Sequence, residues 1–316
     1  MKKFLPAILL FYTVYAQTVL TPEKILLAEG GVKDVTYKNQ LLYIATEIGT
    51  VEIFNLNTGK KVQKITLPNI KDFFDEPIKP KVYSIDVSSD GTIYMLVQST
   101  EGFSQLYRYK NKKLELLIPE KQKLLAVKAK LYKDRYILLG LPANDIILYD
   151  LKNKKKVYQL HISRSPFSDF AINKDHVAIA CESGIVYIVH IPTGKIEQNI
   201  PKMNLDKTFK IDFKGNYIFT GGRDKKATLY NLKTKEKHVF KAKFFVYSVG
   251  LSPSLKYGAY GINEQSDIAV FDIPLKTTRY ILKGHSYALN NILFITDNQL
   301  VTTDESRKIL YWRLKQ

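Results

Sequence analysis

The sequence predicts an all-β fold built from seven repeats, and three observations support this prediction. Seven short phrases rich in β-branched and aromatic residues end in a similar pattern. Their last apolar residues stand at positions 56, 109, 151, 191, 232, 273 and 314, so the successive intervals are 53, 42, 40, 41, 41 and 41 residues. Turn residues divide each repeat into about four short strands. A period near 41 is typical of the blades of a β-propeller, so we expect one seven-bladed domain over residues 17–316.

The N-terminus has the features of a cleaved export signal. Lys2 and Lys3 precede an apolar stretch at residues 4–15, and Ala16 completes a small-residue cleavage site before Gln17. An uncleaved membrane anchor is the alternative, but the stretch is shorter than the roughly 20 residues that a bilayer requires. We therefore expect a signal peptide at residues 1–16 and a periplasmic mature protein.

The next segment is predicted to close the ring. The chain stops soon after the seventh phrase, which leaves the last blade without an outermost strand. The run from Glu23 to Ala28 is apolar in its second half and precedes the first blade. A strand supplied by this run would complete the seventh blade and remove two exposed sheet edges.

The enlarged interval of 53 residues places an insertion between the first two phrases, at about Asn69 to Lys81. This insertion contains Phe73 and Phe74 among charged residues. Exposed aromatic residues in a long loop favour either a contact with a partner or packing against the ring, and the loop could also act as a lid.

Each innermost strand begins with a related pattern, and one position in that pattern faces away from the buried apolar residues beside it. We interpret this position as the rim of the central channel, where a partner protein could dock. It is occupied in the seven blades by Lys33, Tyr83, Lys128, Ser168, Phe209, Tyr247 and Asn290. An aromatic and cationic rim suits protein recognition better than catalysis.

Residue patterns for catalysis, cofactor attachment and metal binding were not found in the sequence. It has no Cys-x-x-Cys-His motif, no Gly-x-Ser-x-Gly motif and no His/Asp cluster with metal-ligand spacing. The single cysteine, Cys181, lies in an apolar run and is expected to be a small core residue. We therefore expect a monomeric binding protein with no cofactor, no metal and no catalytic residues.

The formal net charge is +18, with many lysines in the turns that follow the phrases. A charge of this size is common among nucleic-acid-binding proteins. The predicted export argues against a nucleic acid, so we expect the lysines either to keep the protein soluble or to steer it towards an acidic protein or an anionic membrane.

The seventh repeat resembles a WD40 repeat. Its matching residues are His285, Asp297, Thr302 and Trp312, with Gly284 before the histidine. The resemblance implies that these four polar side chains form a buried hydrogen-bond network with a structural role. The other six repeats share the period and lack the full motif.

The chain is also similar to the WD40-type accessory proteins of the periplasmic nitrate reductase. The segments that carry this similarity are residues 31–35, residues 49–54 and the insertion from Ile70 to Phe73, which continues to residues 81–84. The similarity implies a non-enzymatic helper in the assembly or maturation of a respiratory enzyme. Two alternatives remain: a cofactor-bearing propeller enzyme of the quinoprotein or d1-haem type, and an assembly factor for outer-membrane proteins.

Overall fold

The structure, a computed structural model, describes residues 17–315, which form seven antiparallel blades arranged in a ring. The predicted seven-bladed β-propeller is confirmed. The seven phrases identified in the sequence are the third strands of the seven blades. The predicted signal peptide at residues 1–16 lies outside the described residues.

From residue 32 onward, the first strand of every blade is the innermost, and the strands that follow it lie progressively further from the centre of the ring. Two strands, β1 (Thr18–Leu20) and β2 (Lys24–Leu27), precede the first blade. Blade 1 contains β3 (Val32–Lys38), β4 (Leu41–Thr46), β5 (Thr50–Asn55) and β6 (Lys61–Thr66). After the hairpin β7 (Ile70–Lys71) and β8 (Pro77–Ile78), blade 2 contains β9 (Val82–Val87), β10 (Ile93–Gln98), β11 (Ser104–Lys110) and β12 (Lys113–Ile118). Blade 3 contains β13 (Lys128–Tyr132), β14 (Tyr136–Leu141), β15 (Asp145–Asp150) and β16 (Lys155–His161). Blade 4 contains β17 (Phe167–Asn173), β18 (His176–Cys181), β19 (Val186–His190) and β20 (Lys195–Ile200).

The remaining three blades continue the pattern. Blade 5 contains β21 (Thr208–Lys214), β22 (Tyr217–Gly222), β23 (Lys226–Asn231) and β24 (Lys237–Lys241). Blade 6 contains β25 (Val249–Leu251), β26 (Tyr257–Gly261), β27 (Ile268–Asp272) and β28 (Thr277–Leu282). Blade 7 contains β29 (Leu289–Thr296), β30 (Gln299–Asp304) and β31 (Lys308–Arg313). Two short 3₁₀ turns lie in blade 2 and after it, at Thr100–Gly102 and Glu120–Gln122.

The N-terminal segment closes the ring on two blades. Strand β2 is antiparallel to β31, with Lys24 opposite Tyr311, and becomes the outermost strand of blade 7. This confirms the closing strand predicted at Glu23 to Ala28. Strand β1 adds a parallel fifth strand to blade 6, with Leu20 opposite Leu282, which the sequence analysis did not predict. Because β1 and β2 are joined by three residues, one short segment links the outer edges of blades 6 and 7.

Within residues 17–315 the core consists of seven apolar clusters, and each cluster lies between two neighbouring blades. The cluster between blades 5 and 6, for example, packs Phe219 against Phe271 with ring centroids 5.3 Å apart. A single blade has two apolar faces and cannot bury both alone, so the ring must be complete before every face is covered. Cys181 is fully buried, as the sequence predicts.

The connections between strands fall on two faces of the ring, because neighbouring strands within a blade run in opposite directions. We call upper face the one that carries the second-to-third-strand connections and the connections between blades. The lower face carries the turns between the first and second strands and between the third and fourth strands. The innermost strands of neighbouring blades contact one another around the ring, from β3 to β29 and back to β3.

Candidate functional site

The predicted rim position coincides with a β-bulge at the upper end of the innermost strand. In five blades the extra residue lies at the register shift, at Lys33, Tyr83, Ser168, Phe209 and Asn290. A bulge leaves one residue outside the regular pairing and changes the direction of its side chain. The aligned position predicted from the repeats is therefore the site of a β-bulge that recurs at the channel mouth.

Four of the seven rim residues surround one small cavity of about 190 Å³ at the channel mouth, and these are Lys33, Tyr83, Lys128 and Ser168. Lys128 is not a free cation there, because its ammonium group is ion-paired with Asp169 and donates to the Phe170 carbonyl at 2.7 Å. Burial nevertheless lowers the pKa of Lys128 below its ordinary value, with Asp169 acting in the opposite direction. At this part of the rim Lys128 is therefore paired, whereas the buried hydroxyl of Ser168 has no hydrogen-bond partner among the described residues.

Asn290 is the rim residue most clearly bound within the ring. Its amide group donates to the carbonyls of Val32 at 2.6 Å and Asp304 at 3.1 Å, and its oxygen accepts from Thr303. These contacts join blade 7 to blade 1. The geometry favours a structural role for Asn290 over the predicted contact with a partner.

The channel wall contains a repeated hydrogen bond between neighbouring blades, which the sequence analysis did not predict. Four aspartates of innermost strands each accept the backbone N–H of the next blade's innermost strand at 2.8–3.1 Å. The pairs are Asp34 with Ile85, Asp86 with Leu131, Asp169 with Ile211, and Asp212 with Leu251. Each bond satisfies a backbone donor that faces the channel and joins two neighbouring blades.

Lysines neutralise part of this channel charge. Lys130 lies 2.8 Å from Asp34 and donates to the Ile85 carbonyl, also at 2.8 Å. Burial opposes the charge on both groups, but their mutual attraction outweighs it, so the pKa of Asp34 is lowered and that of Lys130 is raised. Asp86 differs, because burial raises its pKa despite the nearby Lys130. These ion pairs thus link different blades along the channel wall, around an open cavity of about 400 Å³.

Blade 7 contains a buried hydrogen-bond network around Thr302. The Thr302 hydroxyl is 2.6 Å from Nε2 of His285 and accepts from Nε1 of Trp312 at 2.8 Å. Nδ1 of His285 lies 3.0 Å from a carboxylate oxygen of Asp304. His285, Thr302 and Trp312, three of the four predicted residues, therefore lie in one network. Its fourth member is Asp304.

The prediction of Asp297 in this network was wrong. Asp297 lies in the turn between β29 and β30 on the lower face, where its carboxylate accepts from the backbone N–H of Ser254 at 3.0 Å and from the Ser254 hydroxyl at 2.5 Å. It links blade 7 to blade 6. Asp304 ends β30 on the upper face, the side of the blade from which His285 enters, and this places it within reach of the imidazole.

An aromatic cluster occupies the upper face at blades 5 and 6. The ring of Phe209 is 4.8 Å from Tyr247 and 6.2 Å from Phe245, and Phe244 stacks on Phe245 at 4.7 Å. All four rings are half-buried. Two are predicted rim residues, Phe209 and Tyr247, and the other two were missed. Phe244 and Phe245 could have been predicted from the sequence, because three aromatic residues occur among the four residues 244–247.

A cavity of about 320 Å³ adjoins this cluster. Its wall includes Phe244, Phe245 and Tyr247 on one side and Glu264 and Tyr287 on the other. Tyr287 is 58% exposed, which leaves much of its ring available to a ligand or partner. The upper face therefore combines a recess with accessible aromatic surface at one place.

The insertion forms a small hairpin, in which Ile70 of β7 pairs with Ile78 of β8. Phe73 and Phe74 stand at its tip, 96% and 78% exposed, with their rings 5.5 Å apart. A cleft of about 930 Å³ separates the hairpin from the 99–103 connection of blade 2. Because the lining of this cleft is made by the hairpin and blade 2, the insertion lies beside blade 2 and away from the channel residues described above.

The two faces differ in charge. The connections of the upper face contain thirteen Lys or Arg residues and thirteen Asp or Glu residues, so their formal charges cancel. These connections are residues 28–31, 47–49, 67–81, 99–103, 119–127, 142–144, 162–166, 182–185, 201–207, 223–225, 242–248, 262–267, 283–288 and 305–307.

The lower face is basic. Its turns contain eleven basic residues: Lys60, Lys112, Lys133, Arg135, Lys152, Lys154, Lys174, Lys233, Lys235, Lys256 and Lys276. They contain five acidic residues: Asp90, Asp134, Asp175, Glu236 and Asp297. The net charge of the protein is therefore unevenly distributed between the two faces.

Residues 17–315 contain no group of three or more His, Cys, Asp or Glu side chains that could hold a metal ion. Over the same part of the chain, no helix is long and apolar enough to cross a membrane. The chain matches no model of a known protein family, and no curated protein matches it either.

Proposed function

We propose that the protein is a non-enzymatic, exported scaffold that binds a protein partner on its upper face. The observation that carries this proposal is the cluster of Phe209, Phe244, Phe245 and Tyr247 beside a cavity of about 320 Å³. Aromatic side chains are enriched at protein interfaces, and those around a recess can anchor a partner. The predicted signal peptide supports a periplasmic location.

The charge of the upper face supports the same choice. Its connections carry equal numbers of basic and acidic residues, so a partner does not have to overcome a strong field to approach. Neutral and aromatic surface is typical of the centre of a protein interface. The cofactor-bearing enzyme has no comparable observation in its favour, and visible absorbance of the purified protein would reveal such a cofactor.

Subunits of the periplasmic nitrate reductase are the partners we propose, with the protein acting as an assembly or maturation factor. The sequence similarity to the accessory protein NapL, in residues 31–35, 49–54 and 70–84, supports this choice. Within those segments Lys33 and Tyr83 lie at the channel mouth, and the hairpin between β7 and β8 stands on the same face. Parts of the similar segments therefore share the upper face with the proposed docking site, although they lie at blades 1 and 2 and the aromatic cluster lies at blades 5 and 6.

The test is site-specific crosslinking in cells grown on nitrate. A photo-crosslinking aromatic residue replaces Tyr287 on the upper face or, as the matched control, Leu275 in a lower-face turn of blade 6, and the two residues are 58% and 56% exposed. We expect nitrate-reductase subunits to be crosslinked from position 287 and not from position 275. Equal products from both positions would contradict an upper-face site. Recovery of outer-membrane precursors instead would favour the alternative assembly role.

The exposed phenylalanines of the hairpin provide a second test of the docking face. We expect the double change Phe73→Ser and Phe74→Ser to weaken capture of the partner and leave the melting temperature unchanged, because both rings are exposed. The matched control is Val62→Ser, which removes an apolar residue that is 55% exposed on the outer strand of blade 1. Full capture by the double variant would restrict docking to the aromatic cluster.

A further inference from the structure

The lower face presents an array of lysines that the protein does not neutralise. Lys60, Lys112, Lys152 and Lys233 lie in the third-to-fourth-strand turns of blades 1, 2, 3 and 5, and all four are exposed. Among residues 17–315, none of these four ammonium groups forms an ion pair. Like charges held on one face repel each other and are retained at a cost unless an anionic surface balances them.

The distribution of these lysines indicates the shape of the anionic surface that could bind them. They occur in turns of different blades around the ring and do not line one groove. A nucleic-acid strand or an acidic peptide follows a continuous groove or stripe, whereas a broad planar surface can reach several separate turns at once. The same face carries Leu275, which is 56% exposed beside Lys276 and can enter the headgroup region of a bilayer.

We propose that the lower face binds peripherally to a membrane surface rich in anionic lipid. The lysine turns supply the attraction, which acts over about 10 Å at moderate ionic strength and weakens as salt is added. The neutral upper face with its aromatic cluster then points away from the membrane. This inference concerns the opposite face from the proposed protein site, so either can fail without the other.

The experiment is co-sedimentation of the purified protein with two kinds of vesicle: phosphatidylcholine alone, and phosphatidylcholine mixed with phosphatidylglycerol. We expect binding to the mixed vesicles at low salt and little binding to the neutral ones. The test variant changes Lys60, Lys112, Lys152 and Lys233 to Gln. It should lower the partition coefficient on the mixed vesicles by at least about tenfold, since each lysine near an anionic surface contributes to the attraction.

The matched control removes the same charge from the upper face. It changes Lys79, Lys81, Lys121 and Lys243 to Gln, and these residues are also exposed and outside the ion pairs of residues 17–315. We expect it to retain most of the binding. Equal losses in the two variants would show that net charge alone is responsible and would overturn the proposal. It would also be overturned if the protein bound a soluble polyanion such as heparin but not the mixed vesicles.

Discussion

Blade 7 and the blades that carry channel aspartates use their buried polar groups in different ways. In blade 7 the network of His285, Thr302, Trp312 and Asp304 lies within one blade. In blades 1, 2, 4 and 5 a single aspartate accepts a backbone N–H from the next blade. The first arrangement fixes the shape of a blade, and the second fixes the position of one blade relative to its neighbour.

This difference shows that one ring can be held together by two independent kinds of contact. Blade 7 receives its fourth strand from the N-terminal segment, whereas the fourth strands of the other blades follow directly from their third strands. A blade assembled from both ends of the chain benefits from an internal network that defines its geometry. The other blades depend more on their apolar faces and on the bonds between them.

Removal of residues 17–28 is the most severe test of this comparison. It deletes both β1 and β2, uncovers the edges of blades 6 and 7, and removes Leu26 from the core cluster between blades 7 and 1. We expect a loss of more than about 5 kcal/mol, which is of the order of the whole stability of a domain. Circular dichroism melting would measure it. A cooperative transition near the wild-type temperature would show that blade 7 does not need the added strand.

The change Asp169→Ala should have the next largest effect. It removes the acceptor for the Ile211 N–H and leaves the largely buried Lys128 without its ion-pair partner. We expect a loss of about 3 kcal/mol in the free energy of unfolding, because an uncompensated buried charge is costly. Denaturant unfolding of this variant and of the double variant Asp169→Ala/Lys128→Met would check it. The double variant should recover part of the loss.

The change Thr302→Val tests the network within blade 7. It keeps the volume of the side chain and leaves the Trp312 N–H and the His285 imidazole without a shared partner. We expect a loss of about 2 kcal/mol. The matched control is Asp297→Ala, whose carboxylate lies on the exposed turn and bonds Ser254, and it should cost less than about 1 kcal/mol. The reverse order of the two effects would contradict the central place of Thr302 in the network.

The smallest expected effect is the pH dependence of the blade 7 network. Burial would raise the pKa of Asp304, but the hydrogen bonds from His285 and Ser306 outweigh burial and lower it to about 2. A lowered pKa stabilises the fold above the unfolded-state value near 4, and this stabilisation is lost as the pH falls towards about 2. We expect Asp304 to account for about 1 kcal/mol of the acid-induced loss. Comparison of wild type with Asp304→Asn across pH 6 to 2 measures it, and identical pH profiles would contradict it.

The fold was largely predictable because its signal is repeated. The 41-residue period located all seven third strands, and the apolar run at Glu23 to Ala28 located the closing strand. Strand β1 was missed because three residues, Thr18–Leu20, carry too little pattern to indicate a strand. Its parallel pairing with β28 depends on where blade 6 lies relative to blade 7, which is a property of the closed ring.

The polar contacts were less predictable, for reasons that differ between residues. Asp304 was missed because it stands at the end of a strand, whereas Asp297 occupies a turn and matched the motif more readily. The channel aspartates were missed because each bond joins residues of different blades, such as Asp34 and Ile85, which are 51 residues apart. Phe244 and Phe245 precede the aligned segment of blade 6 and have no counterpart in the other repeats, so an alignment of repeats gives them no weight.

Ring closure by β2 has a consequence for the order of events in folding. Glu23 and Arg313, which form an ion pair beside this strand, are 290 residues apart in the chain. The segment that leaves the ribosome early must therefore wait until the last blade has been made before it can pair. Contacts over such a distance are slow to form because of the entropy of closing a long loop. Until then Leu26 of β2 stays uncovered together with the apolar face of blade 1 that packs on blade 7, so this cluster is completed late in synthesis.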